Sequence, residues 1–68
     1  MRTFGKLREV IKKRYKTFGV FADALGMDRS TMSSRLNGTS AWKSTEIEEI
    51  CKLLDIPMAS VGDYFFYD

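Results

Sequence analysis

Residues 18–37 hold two short stretches of helical periodicity joined at a single glycine, and this restricts the fold more than any other feature of the chain. Phe21, Ala22 and Leu25 share one face of the first stretch, and Met32 and Leu36 share one face of the second. Thr17 is placed to cap a helix over residues 18–25, and Gly26 supplies the left-handed residue that ends it. Met27 follows as a buried anchor. Asp28 is placed to cap a further helix over residues 29–37, with Gly38 as its stop.

Two short helices that cross steeply, at about 90–120°, need a small residue at the contact, a glycine at the turn and apolar anchors on both sides. Ala22, Gly26 and the set Phe21, Leu25, Met27, Met32 and Leu36 meet those demands. The layout predicts a helix-turn-helix over about residues 18–37. The combination is more specific than its parts, although helical hairpins of other function imitate it.

The flanking segments read as helices too. Phe4, Leu7, Val10, Ile11 and Tyr15 recur at helical spacing, leaving Arg8, Lys12 and Lys16 four apart on the outer side. Like charges at that spacing cost roughly 0.2–0.5 kcal/mol per pair, a cost more easily tolerated where the row meets phosphate. Ile47, Ile50, Cys51 and Leu54 form a later buried stripe, with Ser44 or Thr45 as its cap and Thr45 and Glu48 at capping-box spacing. Trp42 is expected to tuck against the core, Pro57 to start a short last turn, and Arg35 to pack its stem while its head reaches solvent, with a phosphate contact open to it. The expected fold class is all-α, a compact bundle of about five short helices in one domain spanning residues 1–68.

Composition removes most other functions. At 68 residues there is room for one core, and no apolar run approaches the roughly 20 residues needed to cross a bilayer. The N-terminus lacks the apolar stretch of a signal peptide, so the chain is expected to stay where it is made. There is no histidine and one cysteine, Cys51, which excludes histidine-based catalysis and leaves zinc without its usual ligands. Cys51 reads as a small core residue. No enzyme activity, cofactor, metal or membrane partner is expected. The net charge of +2 hides an asymmetry. Residues 1–16 carry seven basic side chains against Glu9, and residues 44–68 carry six acidic ones against Lys52. A basic front half suits a polyanion.

With the apolar faces inward, Arg29, Ser30, Ser33, Ser34 and Asn37 lie on the outer side of the third helix. In a major groove the N-terminal end of such a helix meets base edges, where Arg29 could fork onto a guanine for about 1–3 kcal/mol of discrimination. The serines permit close approach, Thr31 is placed to reach the backbone, and Asn37 with the Gly38 amide suits a phosphate at the helix end. The bland alternative is a solvated helix face.

Gly26-Met27-Asp28-Arg29-Ser30-Thr31-Met32-Ser33, followed by Leu36-Asn37-Gly38, resembles the lambda-repressor and Cro superfamily of phage regulators. The ending Ile56-Pro57 with Gly62-Asp63-Tyr64-Phe65-Phe66 is similar to small Cro-type proteins of temperate phages infecting Gram-positive bacteria. The resemblance covers nearly the whole chain. It implies a five-helix repressor of the lysis–lysogeny switch in the bacterial cytoplasm, bound to double-stranded operator DNA and able to form a homodimer there. Arg29, Ser30, Ser33, Ser34 and Asn37 take the family's DNA contacts. Two positions depart from its pattern. Phe18 stands where the family often places a phosphate-holding glutamine, which predicts weaker DNA binding, and Arg35 stands at a usually apolar position.

Some switch proteins of this kind are modulators of repression, antirepressors that bind the phage's own repressor and block its DNA binding. Phe18 and the tail Tyr64, Phe65, Phe66 and Tyr67 are the candidate partner contacts for that second reading. At least two of the tail aromatics are expected to close the core instead.

Overall fold

The computed structural model describes residues 4–66. Tyr67, one of the candidate partner contacts, lies outside the described residues. The chain is all-helical: α1 Gly5–Tyr15, α2 Phe18–Leu25, α3 Arg29–Leu36, α4 Ser44–Leu54 and α5 Val61–Phe65, with a 3-10 turn Met58–Ser60 before the last helix.

Two residues, Lys16 and Thr17, join α1 to α2. Lys16 adopts φ 68° and ψ −44°, and the Thr17 N–H donates to the Tyr15 carbonyl at 2.7 Å. That is a three-residue γ-turn of the rare, strained hand, carried by a residue with a Cβ. The turn delivers Thr17 in extended conformation at the start of α2, where its Oγ1 accepts from the Val20 N–H at 3.1 Å, as the sequence predicts. Gly26 ends α2 at φ 72°, and the Met27 N–H reaches back to the Ala22 carbonyl at 2.9 Å. This is the expected glycine stop, a paired closure of the last turn.

Three local expectations are corrected. Helix α3 ends at Leu36 with Asn37 as its C-cap, in keeping with an expected end at about Asn37, but Asp28, in extended backbone at its N-cap, makes no side-chain cap bond. Helix α4 begins at Ser44 with Lys43, not Ser44 or Thr45, in the cap position. The partner there is Glu46, whose Oε1 accepts the Lys43 N–H at 2.8 Å, so the pairing expected of Thr45 and Glu48 falls two residues earlier. A lysine side chain has no acceptor, so only the glutamate half of a capping box can operate.

One core unites the helices. Phe4, Leu7 and Ile11 of the first segment meet Phe21, Ala22, Met32, Leu36, Ile50, Cys51, Leu54, Ile56 and Phe65, all buried. Leu25, Met27 and Ile47 are half-buried and pack against this set. Trp42 does tuck inward: its ring meets Phe4 edge-on at 6.1 Å and Phe65 at 5.7 Å. Such offset aromatic contacts are worth about 0.5–1.5 kcal/mol each beyond the area they bury. Burial alone pushes the Cys51 thiol up from its ordinary pKa, in keeping with a core role. None of the helices formed by the described residues is long and apolar enough to cross a membrane.

Candidate nucleic-acid interface

Burial of Met32 and Leu36 fixes the rotation of α3 and turns Arg29, Ser30, Ser33 and Asn37 outward. Thr31 and Ser34 are half-buried at the edges of that face. The side chain of Arg29 is 68% exposed, yet its guanidinium folds back over α2 and bonds Asp23 Oδ2 at 3.0 Å. Asn37 is braced from two sides: its Nδ2 donates to Ser33 Oγ at 3.4 Å and its Oδ1 accepts from Arg8 at 3.1 Å.

Two residues assigned to phosphate contacts are committed inside the fold. The Gly38 N–H donates to the Arg35 carbonyl at 3.2 Å, because Gly38 at φ 78° closes the last turn of α3. The Arg35 head does not reach solvent. Its Nε and Nη2 grip both oxygens of Glu46 at 2.9 and 3.1 Å, and Nη1 donates to Ser40 Oγ at 2.7 Å. Side-chain exposures of 12% and 17% leave this pair largely out of water. The bond from Arg35 holds the Glu46 carboxyl below its ordinary pKa, and the same bond raises Arg35. Arg35 is thereby satisfied by a carboxylate from α4, which joins the end of α3 to the start of α4.

Arg8 is the functional residue that sequence reasoning left as one of a row. Its Nη2 donates to the Leu36 carbonyl at 2.8 Å, a main-chain group at the C-terminal end of α3. A cation there complements the helix dipole. Its guanidinium also lies 5.5 Å from the centre of the Phe18 ring, and the Lys12 ammonium lies at the same distance from that ring. Phe18, half-buried, is the platform for two cations. The spacing of Arg8 and Lys12 gave the row, but only the packing of α1 across α2 and α3 shows what it touches.

These groups enclose a cleft of about 210 Å³ bounded by Arg8, Phe18, Gly19, Arg29, Ser33 and Asn37. Guanidinium groups from two helices, α1 and α3, border the same recess. The remaining candidates separate: Phe65 is buried at 2%, Tyr64 is half-buried with the Lys6 ammonium 5.6 Å from its ring, and Phe66 is 49% exposed. Phe65 therefore closes the core and is not available as a partner contact on this surface.

The fold and this surface define a small all-α bundle with an exposed, hydroxyl-rich helix face. Over residues 2–68 the chain belongs to the family described as "Protein of unknown function (DUF739)". No curated protein matches the chain.

Proposed function

We propose that this chain is a DNA-binding transcriptional regulator of the phage lysis–lysogeny type, active in the bacterial cytoplasm, with no catalytic role. In this reading α2 and α3 act as the helix-turn-helix, and α3 enters the major groove of an operator. The observation that supports it most is the outward face of α3: Arg29, Ser30, Ser33 and Asn37 are exposed together, hydrogen-bonding in type, with no acidic residue in the helix. Arg29 is the long donor suited to a guanine edge, and the serines suit close approach. Lys12 and Arg8, on the Phe18 platform beside the same cleft, suit the flanking phosphates. In this account Phe18 replaces a direct phosphate bond with two positioned cations. One module of this size binds a half-site weakly, so pairing of two copies on DNA is part of the proposal.

One observation favours a second reading. Phe66 is a large apolar side chain at 49% exposure, and it borders a recess of about 520 Å³ whose lining includes Trp42 and Ile47. An antirepressor that binds the phage's own repressor would use such a surface, with the acidic second half facing basic residues. A gel shift on the phage switch region, with and without the cognate repressor, separates the two. A salt-sensitive shift by this protein alone supports operator binding. No shift, together with loss of the repressor's shift, replaces it with the antirepressor reading.

A further inference from the structure

The recognition face contains its own competitor. Gly19 and Asp23 lie four apart on α2, hence on one face, and the Arg29 side chain lies along that face. At Gly19 the fit is close: a Cβ there would stand 2.9 Å from Arg29 Cζ and 3.0 Å from both Nε and Nη1. At Asp23 the guanidinium finds a carboxylate oxygen at 3.0 Å. A bare notch and, one turn on, an acceptor together hold the longest donor of the α3 face back against α2.

We infer that Asp23 is a positioning residue that acts through Arg29, competing with DNA for its guanidinium and so lowering the affinity for DNA. This rests on the DNA-binding reading above. A lone phosphate oxygen offers Arg29 roughly what Asp23 already provides, so Arg29 stays on α2 when the protein sits on the wrong sequence. A guanine edge, with two acceptors in the plane of the guanidinium, outcompetes the single bond to Asp23. Because the free protein holds this bond, the specific complex must break it and loses its energy from binding, whereas a non-specific complex leaves it closed and gains nothing from Arg29; the latch therefore lowers the affinity for DNA. Because the pair is exposed, its effect is modest, about two- to five-fold in affinity.

The test uses fluorescence anisotropy with two labelled duplexes, one selected by the wild-type protein from a random-sequence pool and one a scrambled version of it. Asp23→Asn is expected to tighten binding to the selected duplex by about two- to five-fold and to the scrambled duplex by no more than that, so that the selected-to-scrambled ratio does not fall. Gly19→Ala should do the same without touching a charge, since its Cβ displaces the guanidinium, and that tip is flexible enough to move without unfolding the chain. Asp28→Asn, which removes a charge at the start of α3, should tighten binding to the selected duplex less than Asp23→Asn does. An Asp23→Asn affinity for the selected duplex that does not rise, or rises no further than that of Asp28→Asn, overturns the latch while leaving DNA binding intact. Weaker binding of Asp23→Asn to both duplexes overturns it also, because Asp23 would then present Arg29 to DNA. If no duplex in the pool binds either wild type or variant, the DNA reading itself is overturned, and the inference with it.

Discussion

Arg35 and Glu46 meet through two parallel bonds, Nε to Oε1 at 2.9 Å and Nη2 to Oε2 at 3.1 Å, across the loop that joins α3 to α4. The pair does two tasks at once, since Oε1 of Glu46 also accepts the Lys43 N–H that opens α4. Removing the carboxylate charge leaves a largely buried guanidinium poorly compensated. Glu46→Gln is expected to lower stability by about 1–3 kcal/mol, read from the urea midpoint.

The same pair sets an acid limb. Glu46 has a lowered pKa in the folded chain, caused first by the bond from Arg35. A depressed carboxylate contributes stability that is complete above its unfolded value, about 4.3, and is lost as the pH falls through the lowered folded value. Arg35 stays charged throughout this range. The melting temperature should therefore fall as pH drops below about 4.3, and Glu46→Gln should show a shallower fall than wild type over the same interval.

Lys16 occupies left-handed space, at φ 68°, only to turn α1 into α2. A glycine relieves the Cβ clash there. Lys16→Gly is expected to raise stability by about 1 kcal/mol, measured by thermal unfolding. The reverse holds at Gly26, where φ is 72° and a Cβ would meet open space. Gly26→Ala should destabilise through backbone strain alone, by about 1 kcal/mol.

Arg8 closes the C-terminal end of α3 through the Leu36 carbonyl and braces Asn37. Arg8→Ala is expected to cost about 1–2 kcal/mol of stability and to speed amide exchange in the last turn of α3. Arg8→Lys keeps the charge but not the forked geometry, so it should recover only part of the loss.

The elements readable from sequence were those with a local cause. The Thr17 cap, the Gly26 stop and the inward stripe of Met32 and Leu36 each depend on neighbours within one or two turns, and the structure has them where the pattern puts them. Most of the parts that escaped were set by distant partners. Arg35 could not be paired with Glu46 from spacing alone, so its head was assigned to solvent. The start of α4 was misplaced for a local reason: Lys43, a residue without an acceptor, stands at the cap, and only the reach of Glu46 back to its N–H marks the position. Arg8 meets Leu36 across 28 positions, and no periodicity encodes that meeting. At the candidate interface the exposed row was legible, but the hold of Asp23 on Arg29 depends on how closely α3 packs over Gly19.

The central claim is that the outward face of α3 is the surface that meets DNA. The most direct measurement is a ¹⁵N–¹H NMR titration of the full chain with a duplex carrying the phage switch region. The account predicts salt-sensitive shifts concentrated at Arg29, Ser30, Ser33 and Asn37, with smaller ones at Arg8 and Lys12 and none at Phe66. An unperturbed α3, with spectra changing instead around Phe66 and Trp42 when the repressor protein is added, would contradict it.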